Sequence, residues 1–304
     1  MMTVLMHSLT SSAQATLLGL AAGNMLGLEA EFELVPHVPP ITDIPEAELG
    51  RPWDDDLAQA FELAESLARH RRADPRDLAD RFVRWSRKNG RGMGSQTRKA
   101  IRLFEKGFAP LDAGRMVWEQ SVGQAAGNGG IMRVAPVGLA FHDNPEALAK
   151  AARDATAITH YDPRCTQGAL AVAAAVASLL NGGPALEAAL AAVRALPQPE
   201  PEVVQAIAAS PRRALDDIPI RAGNGIGYTV TCTSAAFWAV AQKAPLEQTL
   251  LAVVNAAGDA DTNGAVAGAL LGARDGMEAI PERWLVRIRD RAKLAAVALE
   301  LLKR

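Results

Sequence analysis

The chain has few cysteines, few aromatic residues and almost no net charge, and each shortage excludes a class of protein. Only Cys165 and Cys232 occur in 304 residues, so a disulfide framework and a four-cysteine zinc site are excluded and a reducing compartment is expected. The formal net charge of −2 argues against a general nucleic-acid-binding protein, which would carry a basic excess to meet phosphates. Hydrophobic residues make up 49% of the chain, too many for wholesale disorder and enough for a substantial core.

The start of the sequence matches a secretory signal poorly, and no stretch predicts a membrane-spanning helix. Its first residues, MMTVLMHSLTSSAQ, contain no Lys or Arg before the first apolar positions, which is untypical of a signal peptide. The longest apolar stretch, residues 168–190, is interrupted by Asn-Gly-Gly-Pro at 181–184, so it predicts two helices and no span. We therefore expect a cytoplasmic protein without a membrane partner.

Aromatic residues are only 5% of the chain, and alanine, the strongest helix former, dominates the apolar residues. Strand-like alternation is scarce, whereas residues 57–69 have apolar positions at the i, i+3, i+4, i+7 spacing of a helix. The other predicted helices cover residues 12–26, 75–87, 96–106, 145–159, 164–180, 185–195, 203–208, 231–243, 245–256, 263–274 and 281–302. This pattern predicts an all-α fold, a compact single-domain helical bundle over residues 1–304. The Pro-rich stretch 35–52 is expected to be a loop, and loops of that length are commonly lids or binding loops.

Three consecutive aspartates, Asp54, Asp55 and Asp56, open the predicted helix at 57–69. A carboxylate at a helix start is favoured by the free N–H groups and the helix dipole, so N-capping explains one of them. Three adjacent carboxylates repel one another, and a cation beneath them would relieve that repulsion. Capping and metal binding both stay open for this segment taken alone.

A second acidic segment, containing Asp259, Asp261 and Thr262, precedes the predicted helix at 263–274. That helix has a ridge of glycines four residues apart, where another helix can approach closely. The ridge consists of Gly264, Gly268 and Gly272. Carboxylate and hydroxyl oxygens suit Mg2+, Mn2+ or Ca2+ and do not suit zinc or copper. Five carboxylates could hold two divalent ions with open positions for a substrate, although spacing does not show whether the two segments meet.

Several glycine-bearing or polar turns lie beside predicted helices. Each one alone is typical of a cap or tight turn, and the turn at 92–97, which leads into a helix start, is equally typical of a phosphate-binding site, so both interpretations stay open. Taken together and in order, these turns and the acidic helix starts resemble the ADP-ribosylglycohydrolase family. The segments that carry the resemblance are Gly23-Asn24-Met25-Leu26-Gly27 with Glu31, Trp53-Asp54-Asp55-Asp56-Leu57, Gly92 to Gly94, Asn128-Gly129 with Met132, Arg133 and Pro136, Thr159-His160, Gly227-Tyr228, and Gly258-Asp259-Ala260-Asp261-Thr262. The resemblance as a whole extends from about residue 17 to residue 276, nearly the whole chain.

The resemblance implies a dinuclear Mg2+ site, with Mn2+ as an alternative ion, at the bottom of a cleft. By position, the implied metal ligands are Asp54, Asp55, Asp56, Asp259, Asp261 and Thr262. The implied substrate-binding residues are Gly92, Gly94, Asn128, Gly129, His160 and Tyr228. Glu31, on the loop that borders the metals, is the first candidate for the carboxylate that handles the proton, and Asp55 is the second.

Three positions depart from the family's motifs. Asp54 and Leu57 stand where the family has threonines, and Asn24 stands where it has an aspartate. The Asp54 carboxylate can replace a hydroxyl as an oxygen ligand but adds a negative charge. The Asn24 amide can hydrogen-bond but cannot act as a base.

The expected function is Mg2+-dependent hydrolysis of the glycosidic bond between ADP-ribose and a modified protein side chain or small molecule. An ADP-ribosylated protein or a small-molecule ADP-ribose conjugate is the expected partner. The departures from the motifs also motivate a second hypothesis, an ADP-ribose-binding module with weak or no turnover. A structural role, as in the family's lens-crystallin members, and an unrelated phosphohydrolase activity are further alternatives. The leaving group (arginine, serine, acetyl, nucleobase or polymer linkage) and the oligomeric state stay open.

Overall fold

Helices form nearly all the regular structure of residues 2–303, which are the residues that the computed structural model describes, with side chains from residue 9 onward. The α-helices are α1 Met2–Gly27, α2 Asp55–His70, α3 Pro75–Lys88, α4 Ser95–Glu105, α5 Pro110–Gln120, α6 Ala135–Ala140, α7 Pro145–Ala157, α8 Pro163–Leu180, α9 Ala185–Arg194, α10 Pro201–Ala209, α11 Thr229–Ala241, α12 Leu246–Asn255, α13 Ala260–Asp275, α14 Glu282–Leu285 and α15 Arg291–Leu301. Within this range β-pairing is limited to two isolated bridges, Glu33 with Gly258 and Gly127 with Tyr228. The predicted all-α fold is confirmed.

Three differences from the predicted helices have local causes. The single helix predicted at 281–302 is wrong, because α14 ends at Leu285 and α15 starts after Asp290, whose φ of 56° is left-handed. Helix α6 was not predicted because its six residues are too few to show a period. Helix α5 was not predicted either, because it contains Gly114, and glycine disfavours a helix. The glycine is needed for packing, since a Cβ at this position would overlap the carbonyl oxygen of Ala157.

Helices α1 and α13 pack backbone to backbone at the centre of the molecule. Their glycines face one another, and a Cβ on Gly23 would overlap the carbonyl oxygen of Gly264. A Cβ on Gly268 would likewise overlap the carbonyl oxygen of Gly19. The predicted glycine ridge is therefore a close-packing surface, and its partner is α1. This contact brings the end of α1 beside the start of α13, where the second acidic segment lies.

The remaining helices surround this pair and bury one continuous hydrophobic cluster, to which every α-helix except α5 contributes residues. By its length and composition alone, helix α8 could cross a membrane. In the structure, however, 67% of its 18 residues are buried inside the protein. It packs against α6, α7, α9 and α13. The predicted interruption at 181–184 is confirmed, because α8 ends at Leu180 and α9 begins at Ala185.

The segment between α1 and α2 is irregular apart from a 3-10 turn at Glu46–Glu48, as predicted for 35–52. Its middle is anchored to α12, because the Ile41 N–H donates to Asn255 Oδ1 (2.6 Å) and Asn255 Nδ2 donates to the Ile41 carbonyl (2.9 Å). Ile41 and Ile44 are buried. The part before this anchor carries the exposed apolar residues Phe32, Leu34, Val35 and Val38.

Candidate functional site

The three aspartates at the start of α2 point into the protein. Asp54 is the N-cap residue by position, but its side chain makes no capping hydrogen bond. Asp54, Asp55 and Asp56 are all buried, at 4%, 8% and 1% exposure. Solvated caps would be exposed, so capping does not explain this segment.

The start of α13 has the same character and meets the start of α2. Asp259 is the N-cap residue without a side-chain capping bond, and both Asp259 and Asp261 are buried. The Thr262 hydroxyl donates a hydrogen bond to Asp56 Oδ2 over 3.3 Å, although the two residues are 206 positions apart. The two acidic segments therefore converge.

The carboxylates form two groups that share one residue. One oxygen each from Glu31, Asp259 and Asp261 lie within 4.8 Å of one another, and the same holds for Asp54, Asp56 and Asp261. Asp56 Oδ1 and Asp261 Oδ1 are buried without a hydrogen-bond partner among the described residues. All-oxygen groups with unpartnered buried oxygens fit hard divalent cations, and Asp261 would be a ligand common to both groups.

Burial and mutual repulsion disfavour the ionised forms of these acids. Desolvation and the neighbouring aspartates raise the pKa of Asp55, Asp56 and Asp261 well above the ordinary value. Desolvation, followed by Asp54 and Asp259, raises the pKa of Glu31 to about 7. A cation bound beside these carboxylates would favour their ionised forms.

Arg91 is the one cation within ion-pair distance of this cluster among the side chains that the structure describes. Its Nε lies 3.7 Å from Asp54 Oδ1, and its Nη2 lies 2.6 Å from Glu48 Oε2. Desolvation raises the pKa of Asp54 above its ordinary value, and the Arg91 charge only partly opposes this shift. One partly shared guanidinium leaves most of the cluster's charge without a counter-ion.

A cavity of about 230 Å³ opens onto the carboxylates. Glu31 and the aspartates form one wall, and glycine turns form the other. Every predicted site residue lines it except Asp54, which lies behind Gly92, and Tyr228. The Tyr228 hydroxyl instead donates to Glu202 Oε2 (2.7 Å) and accepts from Arg164 (3.2 Å).

The glycine turn before α4 lies directly over the aspartates. Gly92 has a φ of +74°, and a Cβ there would overlap Oδ1 of both Asp54 and Asp55. Gly94, two residues after Gly92, is the N-cap of α4. Ser95 and Thr97, in the first turn of α4, also line the cavity. Free N–H groups at a helix start favour an anion such as a phosphate.

A second turn, formed by Gly127, Asn128 and Gly129, lies against His160. Asn128 Nδ2 donates to Asp259 Oδ2 over 2.6 Å, which joins this turn to the acidic wall. A Cβ on Gly129 would lie 2.6 Å from His160 Cε1, so only glycine allows this approach. Burial, with a smaller contribution from the Arg133 charge, holds the pKa of His160 well below its ordinary value.

The sequence model of one protein family, described as ADP-ribosylglycohydrolase, matches residues 6–304. The chain belongs to the ADP-ribosylglycohydrolase family. It is therefore an enzyme of the glycohydrolase class, whose members hydrolyse ADP-ribose linkages.

Individual proteins agree with this assignment. The chain is 29% identical to an ADP-ribosylarginine hydrolase, Tri1, of Pseudomonas putida, over 96% of this chain and 78% of that protein. It is 27% identical to the ADP-ribosyl-[dinitrogen reductase] glycohydrolase of Rhodospirillum rubrum, over 92% of this chain and 91% of that one. A solved structure titled ADP-ribosylglycohydrolase-related protein complex superposes with a TM-score of 0.76 at 32% identity, covering 97% of this chain and 98% of that chain.

The three departures from the family's motifs have different surroundings. Asp54 is part of one carboxylate group, and Arg91 lies beside it to offset the added charge. Leu57 is buried in the hydrophobic cluster. Asn24 is fully buried in α1, and neither its Oδ1 nor its Nδ2 has a hydrogen-bond partner among the described residues.

Sequence reasoning missed several residues that shape the site. Gln59 donates to Asp55 Oδ2 over 3.4 Å, and Gln96 Oε1 accepts from the Gly127 N–H over 3.0 Å. Gln59 stands four positions after Asp55 in α2, and residues at that spacing lie on one face of a helix. The sequence alone therefore indicated this contact. Gln96 and Arg91 have no such signal, because their partners come from distant segments.

Proposed function

We propose that this protein is an Mg2+-dependent hydrolase that cleaves the glycosidic bond between ADP-ribose and a modified protein side chain or small molecule. The observation that carries the proposal is the convergence of two buried acidic helix starts on one cavity. The Thr262–Asp56 hydrogen bond and the shared Asp261 define that convergence.

Two metal ions fit the two carboxylate groups. Glu31, Asp259 and Asp261 would hold one ion, and Asp54, Asp56 and Asp261 would hold the other. Mg2+ bound there would hold ribose hydroxyls and lower the pKa of a water molecule. A site made only of oxygen ligands favours Mg2+ or Mn2+ over zinc.

Glu31 is the group placed to move a proton. It is only partly buried, lines the cavity, and belongs to one carboxylate group with Asp259 and Asp261. Glycosidic cleavage at the ribose passes through an oxocarbenium-like state, and a carboxylate at this position can take a proton from the attacking water. Asp55 lines the cavity outside both carboxylate groups and receives a hydrogen bond from Gln59, so its negative charge can face the developing positive charge on the sugar.

The opposite wall is suited to the rest of ADP-ribose. The start of α4 and the two glycine turns present backbone groups to the cavity, which supports diphosphate binding there. ADP-ribosylarginine is the first substrate to test, because the Pseudomonas putida relative carries that name.

The test is a panel of ADP-ribosylarginine protein, ADP-ribosylserine peptide and acetylated ADP-ribose, each with Mg2+ and with EDTA, with free ADP-ribose as the readout. We expect Mg2+-dependent release from at least one protein substrate. Release that persists undiminished in EDTA contradicts the metal mechanism. Tight Mg2+-dependent ADP-ribose binding by calorimetry, without release from any substrate, would make the protein an ADP-ribose-binding module.

A further inference from the structure

Arg133 is completely buried beside the cavity, and no carboxylate of the described residues lies within ion-pair distance of it. Its Nη1 donates to Gln59 Oε1 (2.9 Å) and to the Gly129 carbonyl (2.5 Å). Its Nη2 donates to the Ala155 carbonyl (3.0 Å) and to Thr159 Oγ1 (2.6 Å). All of these acceptors are neutral oxygens. Burying a charge without an ion pair costs free energy. We therefore expect Arg133 to have a function that explains why a charged residue is kept at this position.

The partners of Arg133 belong to three separate parts of the cavity wall. Gln59 in α2 donates a hydrogen bond to Asp55, and Gly129 belongs to the second glycine turn. Thr159 follows α7, and its hydroxyl oxygen lies 2.8 Å from His160 Nδ1. One guanidinium therefore joins the acidic helix, the glycine turn and the histidine.

The direction of the hydrogen bonds at Thr159 follows from the donor. A guanidinium can only donate, so Thr159 Oγ1 accepts from Arg133 and keeps its own proton for a second partner. The oxygen has a second lone pair, but His160 Nδ1 is the only other hydrogen-bond partner of Thr159 Oγ1 among the described residues, so the hydroxyl proton goes to Nδ1. Nδ1 is therefore the acceptor, and in a neutral imidazole the proton lies on Nε2. Burial and the nearby Arg133 charge keep the imidazole neutral, and the same charge strengthens the Thr159 hydroxyl as a donor.

We propose that Arg133 is a positioning residue that acts through Thr159 to keep His160 in its Nε2–H form, so that His160 always donates a hydrogen bond into the cavity. The Nε2 edge of the ring faces the second glycine turn, since a Cβ on Gly129 would lie 2.9 Å from that atom. A fixed donor there selects an oxygen acceptor, a phosphate or ribose oxygen of ADP-ribose. The identity of this ligand rests on the proposed function; the tautomer does not.

Thr159→Val tests the proposal, since it keeps the shape of the side chain and removes the hydroxyl. Thr156→Val is the matched control: Thr156 is also buried at the end of α7, but its Oγ1 has no hydrogen-bond partner among the described residues. Thr159→Ser keeps the hydroxyl. Long-range ¹H–¹⁵N correlation spectra of the metal-free protein report which ring nitrogen carries the proton, and His160→Gln assigns the signal among five histidines.

We expect one Nε2–H tautomer for His160 in the wild type, Thr156→Val and Thr159→Ser, and a mixed or Nδ1–H population in Thr159→Val. The affinity for ADP-ribose, measured by calorimetry, is expected to fall about tenfold in Thr159→Val and to stay unchanged in Thr156→Val. Thermal melts confirm that each variant is folded.

An Nδ1–H signal in the wild type, or an unchanged tautomer in folded Thr159→Val, overturns the proposal. Failure of the proposed function is distinguishable from this, because absence of ADP-ribose release by the wild type leaves the tautomer measurement intact. An unchanged tautomer with normal release overturns the positioning role and leaves the hydrolase standing.

Discussion

Single residues at this site show how burial changes the meaning of a motif. An aspartate before a helix usually caps it, yet Asp54 and Asp259 make no side-chain capping bond and are buried with their neighbours. Their position at helix starts was predictable from sequence. Their inward orientation was not, because it depends on a partner segment some two hundred positions away in the chain.

Asp261 is the residue that both carboxylate groups share, so its loss should be the most damaging. We expect Asp261→Asn to weaken Mg2+ binding by at least about 100-fold, because removing a shared ligand exceeds the usual effect of removing its supporting hydrogen bonds. Calorimetric Mg2+ titration and ADP-ribose release measure this. Asp154→Asn is the control, since Asp154 is also buried but pairs with Lys150 away from the site. Equal Mg2+ affinity in both variants would show that Asp261 is not a ligand.

Glu31 separates proton transfer from substrate binding. We expect Glu31→Gln, measured at saturating Mg2+, to lower kcat by roughly 10²- to 10⁴-fold, the range for loss of a general acid or base. ADP-ribose affinity should change little, because the side-chain oxygen of Gln can still ligate the ion but cannot take up a proton. Steady-state kinetics and calorimetry report the two quantities. Glu33→Gln is the matched control because Glu33 lies two residues on and pairs with His37. A kcat for Glu31→Gln within twofold of the wild type would assign the proton to another group.

At the scale of helices, the pairing of α1 with α13 decides whether the site exists. The glycine spacing in α13 predicted a close approach, but it did not name α1 as the partner, because any helix with a matching small surface could fill that role. The structure shows glycines on both helices at the contact. Since α13 begins at the acidic segment, the packing distance between these helices sets the position of Asp259 and Asp261 relative to Glu31.

Gly268→Ala tests this dependence of the site on helix packing. Alanine gains up to about 1 kcal/mol of helix propensity, but its Cβ overlaps the Gly19 backbone carbonyl, and overpacking costs about 1–3 kcal/mol. We expect a net fall in the free energy of unfolding and a weaker Mg2+ affinity, measured by urea denaturation and calorimetry. Gly223→Ala, where a Cβ meets no atom within 4 Å, should change neither. A Gly268→Ala protein as stable as the wild type would contradict the close packing.

For the whole molecule, the charge of the acidic cluster couples stability to pH and to metal. The pKa of Glu31 is raised from 4.5 to about 7, and the pKa values of the four buried aspartates Asp54, Asp55, Asp56 and Asp261 are raised as well. The folded chain therefore holds protons that the unfolded chain releases. Stability from these groups is full below their unfolded pKa and is lost as pH rises through the folded values. The carboxyl groups of Asp74 and Asp162 have lowered pKa values. Their contribution to stability therefore changes at lower pH, below the range in which Glu31 titrates.

The metal-free protein should therefore lose thermal stability as pH rises from 4.5 to about 7, the window that Glu31 defines. Excess Mg2+ should flatten or reverse the trend, because the ion binds the deprotonated carboxylates of the folded state. Thermal melts across this range, in EDTA and in Mg2+, measure both slopes. A melting temperature that rises with pH in EDTA would show that ionisation of these carboxylates does not destabilise the folded protein.

The most direct test of the convergence of the two acidic segments is anomalous diffraction from crystals grown with MnCl2. The account predicts two peaks roughly 3.5–4 Å apart. One should lie at oxygen-ligand distance from Glu31, Asp259 and Asp261, and the other from Asp54, Asp56 and Asp261. A map without a peak between residues 54–56 and 259–262, with these aspartates paired to arginines, would contradict it.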